Sequence, residues 1–148
     1  RTRRRPRSPR PQAGRGRTMG AGRLLICDDE ERFGRFVQRV AADLGFDVEV
    51  TNSADDFMVA YDDFGPTVIV LDMIMPDMDG NELILWLAQR RCAADLIICT
   101  GYNPDYAANA KILAEFKGLK SVTTLRKPVS VALLREALQA MPQETQRT

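Results

Sequence analysis

The chain has 148 residues, 45% of them hydrophobic and 28% charged, and carries a formal net charge of +1. These values are typical of one globular domain with a proper core, and no apolar run approaches the roughly 20 residues that span a membrane. The three cysteines lack CxxC spacing and histidine is absent, which argues against a zinc site and fits a reducing, cytoplasmic setting.

The N-terminal segment differs from the rest of the chain in charge. Residues 1–18 hold eight arginines and no acidic residue, so the remainder carries a net charge of −7. The segment is rich in Arg, Pro and Gly, which predicts disorder over residues 1–22. It could tether the protein to nucleic acid or an acidic surface. The absence of aromatic residues and of any fold motif favours the alternative of a tag, a linker or a leader translated upstream of Met19.

From residue 23 onward, short apolar strands alternate with helical stripes. The predicted strands are RLLIC (23–27), FDVEV (46–50), TVIVL (67–71), DLIICT (95–100) and SVTTL (121–125). The predicted helices lie within residues 30–45, 53–65, 80–91, 103–118 and 130–141. Ser53 and Ser130 are the expected helix N-caps, and Gly45 and Gly118 are the expected stops.

This alternation predicts an α/β fold. Continuous apolar strands between helices indicate a parallel sheet that is covered on both faces. Short connections with right-handed crossovers then give a doubly wound sheet of five strands and five helices. We assign this domain to residues 23–141, followed by a short tail over residues 142–148.

Polar side chains follow four of the five predicted strands. Asp28 and Asp29 follow the first strand, Asp72 follows the third, Thr100 ends the fourth and Lys127 follows the fifth. In doubly wound sheets, ligands bind beyond the carboxyl ends of the strands. The sequence therefore predicts one site that combines three carboxylates, a hydroxyl and an ammonium.

The residue types in this predicted site indicate phosphoryl chemistry. Neighbouring carboxylates repel each other, and a hard divalent cation with open positions, such as Mg²⁺, relieves that repulsion. Asp72 is then the carboxylate that would carry a phosphoryl group as an acyl phosphate. Lys127 can neutralise one phosphoryl oxygen, and Thr100 can donate a hydrogen bond to another.

The stretches ICDDE, VIVLDMIMPDMDG, IICTGY and LRKP together resemble the receiver domain of two-component response regulators. The resemblance covers about residues 23–141. It implies a flavodoxin-like sheet of order 2-1-3-4-5 and phosphotransfer to Asp72 from a histidine kinase or histidine phosphotransfer protein. It also implies a signalling domain whose only chemistry is its own phosphorylation and dephosphorylation, rather than an enzyme with other substrates. We expect no direct nucleic-acid binding by the folded domain and no membrane contact.

The resemblance also implies a set of metal ligands. Asp28 and Asp29 would serve Mg²⁺, with Asp29 and Asp72 as direct ligands and the backbone carbonyl of Ile74 as a third. Thr100 would move toward the phosphoryl group and Lys127 would pair with it.

The resemblance further implies a cis peptide bond before Pro128. By the same resemblance, Ile74 and Tyr102 would flank the water that hydrolyses the acyl phosphate. Neither side chain is a carboxylate or an amide that could orient this water, so we expect a long-lived phosphorylated state.

Two positions depart from the family pattern. The aromatic residue expected three positions before the lysine is Thr124 here, which leaves Tyr102 and Tyr106 as candidates for its role. Thr100 and Lys127 are separated by more residues than is typical, which predicts an enlarged fourth helix or following loop. A downstream protein partner is expected on the face formed by the fourth helix, the fifth strand and the fifth helix.

Three rival interpretations use the same residues. A haloacid-dehalogenase-like phosphatase needs a second Asp two positions after the first, where this chain has Ile74. An atypical receiver could act mainly as a protein-binding module. The chain could also be a receiver fragment of a hybrid kinase or multidomain regulator, because only PQETQRT follows the domain.

Overall fold

The computed structural model describes residues 20–76, 78–101 and 104–140. The strands are β1 (Gly22–Cys27), β2 (Phe46–Thr51), β3 (Val68–Asp72), β4 (Ile74–Met75), β5 (Met78–Asp79), β6 (Asp95–Thr100) and β7 (Val122–Arg126). The helices are α1 (Glu31–Asp43), α2 (Ala54–Phe64), α3 (Gly80–Gln89), α4 (Pro104–Phe116) and α5 (Val131–Gln139). Within these ranges, no helix combines the length and the apolar character that a membrane crossing requires.

The main sheet has five parallel strands in the order β2-β1-β3-β6-β7. When the short strands β4 and β5 are set aside, this order is the expected 2-1-3-4-5. The doubly wound, flavodoxin-like prediction is therefore confirmed. Strand β3 lies at the centre of the sheet, so Asp72 at its end is flanked by the ends of β1 and β6.

The core consists of two layers, one on each face of the sheet. Helices α2, α3 and α4 cover one face and α1 and α5 cover the other. All residues of β3 are buried. Ile69 and Leu71 pack into the first layer, whereas Val68 and Val70 pack into the second. This two-sided burial explains why β3 is a continuous apolar run.

The predicted helix ends agree with the structure. The side chains of Ser53 and Ser130 each accept a hydrogen bond from the backbone N–H three residues later, which caps α2 and α5. Gly45 and Gly118 have φ angles of 96° and 92°, a left-handed backbone that favours glycine just beyond a helix.

The loop after β3 contains a hairpin that the sequence did not predict. β4 and β5 pair in antiparallel fashion, with Ile74 opposite Asp79. Asp79 also caps α3, because its Oδ1 accepts a hydrogen bond of 3.0 Å from the N–H of Asn81. Gly80 N–H donates a 3.1 Å bond to the carbonyl of Met73. Met73, Ile74 and Asp79 are therefore held by backbone contacts within this loop.

The fold also begins slightly earlier than expected. Residues 20–22 were assigned to the Arg-rich segment, but Gly22 is the first residue of β1 and Ala21 is buried. The N–H of Ala21 donates to the carbonyl of Gly45. The rest of that segment and the tail over residues 142–148 lie outside the described residues.

Candidate functional site

The structure brings the strand-end residues together at one edge of the main sheet. Asp28 and Asp29 follow β1, and Asp72 is the last residue of β3. Each of these three residues offers a carboxylate oxygen within 4.8 Å of the others. Thr100 ends β6 and is buried, and Lys127 follows β7. The parallel topology accounts for this convergence, because all five strands have their carboxyl ends at the same edge.

Backbone hydrogen bonds orient two of the carboxylates. Asp28 and Asp72 are buried, whereas Asp29 is exposed. Oδ1 of Asp28 accepts a 2.9 Å bond from the N–H of Glu30, and Oδ1 of Asp72 accepts a 3.2 Å bond from the N–H of Ile74. The second oxygen of each buried carboxylate faces the ammonium of Lys127. The two side chains are therefore fixed before any ligand binds.

Lys127 contacts three carboxylates. Its Nζ lies 2.8 Å from Oδ2 of Asp28, 3.3 Å from Oε1 of Glu30 and 3.7 Å from Oδ2 of Asp72. The Lys127 backbone N–H donates a 2.9 Å bond to the carbonyl of Thr100, which fixes its place beside β6. Sequence reasoning placed Lys127 at the site but did not foresee that Asp28 and Glu30 are its nearest partners.

The peptide geometry around Lys127 is distinctive. The bond between Lys127 and Pro128 is cis. Gly101 follows Thr100, and a Cβ built on it would lie 3.4 Å from Cβ of Lys127. The lysine stem therefore lies within van der Waals reach of Gly101 at the end of β6.

The site carries excess negative charge. Burial and the charge of Asp28 raise the pKa of Asp72 to about 6, against the opposing effects of Lys127 and the Ile74 N–H. Burial alone would lower the pKa of Lys127, but its hydrogen bond to Asp28 and the charges of Asp28 and Asp72 raise it. The ammonium is therefore held charged, yet it does not balance the three aspartates.

The donor set at this edge fits a hard divalent cation. Asp28, Asp29 and Asp72 supply oxygen ligands only, which Mg²⁺ prefers over nitrogen or sulfur. The exposure of Asp29 leaves a path for a hydrated ion, and a dication would offset the repulsion that raises the pKa of Asp72.

Glu30 and Phe33 also contact Lys127, and sequence reasoning gave Phe33 no role at the site. Glu30 is the N-cap of α1, and Phe33 lies three residues later on the same face. The ring centroid of Phe33 is 4.4 Å from Nζ of Lys127. A groove of about 450 Å³ opens beside them, lined by Glu30, Arg32, Phe33, Phe36, Gly101, Lys127, Pro128 and Val129.

Thr124 stands at the position where the family has an aromatic residue. Thr124 is exposed on β7. Tyr102 lies outside the described residues. The hydroxyl of Tyr106, on α4, donates a 3.0 Å hydrogen bond to Oδ1 of Asp79. Tyr106 therefore contacts the end of the hairpin that follows the central strand.

Comparison with known proteins agrees with this geometry. The family described as "Response regulator receiver domain" matches residues 24–139. The transcriptional regulatory protein TrcR of Mycobacterium tuberculosis is 37% identical over 62 residues, 42% of this chain and 24% of TrcR. The chemotaxis protein CheY of Listeria monocytogenes is 31% identical over 81 residues, 53% of this chain and 66% of CheY. The chain thus spans about a quarter of the one relative and two thirds of the other.

Solved structures show the same fold. The crystal structure of a response regulator from Colwellia psychrerythraea has a TM-score of 0.69 and 28% identity, covering 81% of this chain and 95% of that chain. The family match runs from the first strand of the sheet to the end of α5, well over half of the sequence. This chain therefore belongs to the response regulator receiver domain family of two-component systems.

Proposed function

We propose that the domain accepts a phosphoryl group on Asp72 from a histidine kinase or histidine phosphotransfer protein in a Mg²⁺-dependent reaction. One observation carries this proposal. The carboxylates of Asp28, Asp29 and Asp72 lie within 4.8 Å of one another, and Lys127 contacts two of them. Several negative charges at a buried strand end lower the stability of the fold. A role in phosphoryl transfer would explain why these charges are present.

Asp29 and Asp72 would hold Mg²⁺ directly, together with the Ile74 carbonyl, and Asp28 would support them. The ion would supply charge neutralisation for the phosphoryl oxygens. The Ile74 N–H donates to Oδ1 of Asp72, which keeps this residue beside the carboxylate.

Asp72 acts as the nucleophile in this scheme. Its Oδ1 is held by the Ile74 N–H, which leaves Oδ2, the oxygen beside Lys127, as the attacking atom. A bond forms between this carboxylate and phosphorus, the P–N bond to the donor imidazole breaks, and the imidazole keeps the electron pair and takes a proton from solvent. Lys127 is 3.7 Å from Oδ2 and turns from Asp28 toward a phosphoryl oxygen. Thr100, at the end of the neighbouring strand, donates a hydrogen bond from its hydroxyl to another phosphoryl oxygen.

The output of the domain would be protein binding on the face of α4, β7 and α5. Phe116 on α4 is 82% exposed, and Ile112 on the same helix is exposed as well. Val131 and Leu133 expose apolar side chains on α5. Large exposed apolar side chains on adjoining elements suit a protein partner.

Intact-mass measurement after incubation with Mg²⁺ and acetyl phosphate tests the assignment. We expect the wild type to gain one phosphoryl group and Asp72→Asn to gain none. Asp43→Asn is the control, because it alters an exposed aspartate, the last residue of α1, and should gain the group normally. Asp72→Asn that gains the phosphoryl mass at the wild-type yield would contradict the proposal.

A second function is favoured by one observation. Thr124 stands where the family has an aromatic residue, and it is exposed on β7. The domain could therefore bind its partner independently of phosphorylation. Equal capture of a partner by wild type and Asp72→Asn, with and without acetyl phosphate, would support this alternative.

A further inference from the structure

We propose that Phe33 is a positioning residue for Lys127, holding its ammonium beside the carboxylates by a cation–π contact. The inference rests on the proposed function, because it assigns Lys127 to the phosphoryl group. It concerns a side chain of α1 that is otherwise only part of the core.

The geometry of the contact is well defined. Nζ of Lys127 lies 4.4 Å from the ring centroid of Phe33, inside the ~6 Å range of cation–π attraction. The ring is buried and packs against Phe36, with centroids 5.9 Å apart, and it belongs to the core layer that includes Val129. Phe33 is therefore a fixed surface, whereas the lysine it contacts has four rotatable bonds.

The contact replaces water that the ammonium has lost. The side chain of Lys127 is only 15% exposed. Asp28 accepts its shortest hydrogen bond, and the electron-rich face of Phe33 offers a further favourable contact. Without the ring, Lys127 could turn into the groove of about 450 Å³ that opens beside it.

Glu30 alone is a poor substitute for the ring. Its carboxylate is 3.3 Å from Nζ, but its side chain is 59% exposed. Exposed ion pairs hold geometry weakly because solvent screens them and both side chains lose entropy. A neutral aromatic face also adds no negative charge to a site that must admit an anionic phosphoryl group. These properties single out Phe33 rather than Glu30 as the residue that fixes Lys127.

Three variants separate positioning from ordinary core packing. Phe33→Leu removes the ring but keeps an apolar side chain, and Phe33→Tyr keeps the ring. Phe46→Leu is the matched control, because Phe46 is a buried aromatic residue of the same core layer and lies at the start of β2. The first readout is the rate of phosphoryl gain from acetyl phosphate at saturating Mg²⁺. We expect Phe33→Leu to lower this rate about threefold to tenfold, and the other two variants to stay within about twofold of wild type.

The second readout is spectroscopic and needs no phosphorylation. The ring current of Phe33 should move the ε-methylene protons of Lys127 upfield of those of the other lysines in the NMR spectrum. The signal is assigned by its loss in Lys127→Arg. We expect the upfield shift in wild type, Phe33→Tyr and Phe46→Leu, and its loss in Phe33→Leu.

The outcomes discriminate clearly. An unchanged rate in Phe33→Leu, an equal loss in Phe46→Leu, a reduced rate in Phe33→Tyr, or no upfield shift in wild type would each overturn the inference. If the wild type gains no phosphoryl group, the proposed function fails instead, and the Lys127 shift alone still decides whether Phe33 holds the ammonium.

Discussion

Lys127 donates a 2.8 Å hydrogen bond to Asp28, although 99 positions separate the two residues in the sequence. Asp28 follows β1, and Lys127 follows β7 at the edge of the sheet. The strands between them, β3 and β6, end in Asp72 and Thr100. The ion pair therefore spans the edge where Asp72 and Thr100 lie, and it joins the first and last strands of the domain.

Loss of the lysine should destabilise the metal-free protein. In Lys127→Met the buried carboxylate of Asp28 loses its ion-pair partner, which costs about 3 kcal/mol of unfolding free energy. Urea unfolding without Mg²⁺ measures this cost, and added Mg²⁺ should recover part of it because a dication replaces the missing charge. Lys120→Met alters an exposed lysine and should have little effect. Equal stability of the two variants would contradict this account.

Removing the charge of Asp72 should stabilise the metal-free protein at high pH. Its pKa is raised to about 6 in the folded state, above the usual 3.8, so the folded state binds the proton more tightly than the unfolded state. Stability is thus lost as pH rises from about 4 to about 6. We expect Asp72→Asn to unfold at higher urea than wild type at pH 8, by on the order of 1–2 kcal/mol, and the difference to vanish near pH 4. A difference that is independent of pH would show that charge is not its cause.

Asp29 should be required for Mg²⁺ binding. Mg²⁺ gives up water reluctantly, so removing one of the few anionic oxygens weakens its site strongly. We expect Asp29→Asn to lower the affinity for Mg²⁺ at least about tenfold by isothermal titration calorimetry. Glu30→Gln removes the next acidic residue, which contacts Lys127, and should stay within about threefold of wild type. A larger loss of Mg²⁺ affinity in Glu30→Gln than in Asp29→Asn would show that the ion binds elsewhere.

The side chain of Ile74 should set the lifetime of phosphorylated Asp72. Ile74 is exposed beside Asp72 and offers no polar atom to orient an attacking water. We expect Ile74→Asn to hasten loss of the phosphoryl group about threefold to tenfold, measured by intact mass after removal of the donor. Ile74→Val keeps the side chain apolar and should decay as wild type does. Slower decay in Ile74→Asn would show that water access does not limit hydrolysis.

Gly80→Ala should be destabilising, although helix propensity alone predicts the opposite. Gly80 is the first residue of α3. Replacing Gly by Ala within a helix normally raises the stability by about 0.5–1 kcal/mol. A Cβ at this position would lie 2.7 Å from Cα of Met73, a backbone atom next to Asp72. We expect Gly80→Ala to lose about 1–3 kcal/mol of unfolding free energy. We also expect it to gain the phosphoryl group more slowly, because the loop after Asp72 must move. A rise in melting temperature would refute the close contact.

The strand-end residues could be predicted because their placement follows from local pattern and topology. The run Val68–Leu71 indicates a buried strand, and parallel strands deliver Asp72 and Thr100 to one edge whatever the details of packing. The preference of Lys127 for Asp28 could not be predicted in the same way, because it depends on side-chain distances across the whole sheet.

Two further features of the structure left no pattern in the sequence from which they could be predicted. The hairpin of β4 and β5 has only two residues in each strand, too few to show an alternating period. Phe33 falls in the apolar stripe of α1, and an aromatic ring that touches a lysine has the same sequence signature as one that fills the core.

The hydrogen bond between Tyr106 and Asp79 connects α4 to the end of the β4–β5 hairpin. Oδ1 of Asp79 accepts from both Asn81 at the start of α3 and Tyr106 on α4, each at 3.0 Å. Asp79 is also the hairpin partner of Ile74, two residues from Asp72. The residues after Asp72 are thus connected to α4 by the Ile74–Asp79 pairing and the Tyr106 hydrogen bond. A displacement of the Ile74 backbone would strain that hydrogen bond, which connects the loop after Asp72 to the helix that exposes Phe116.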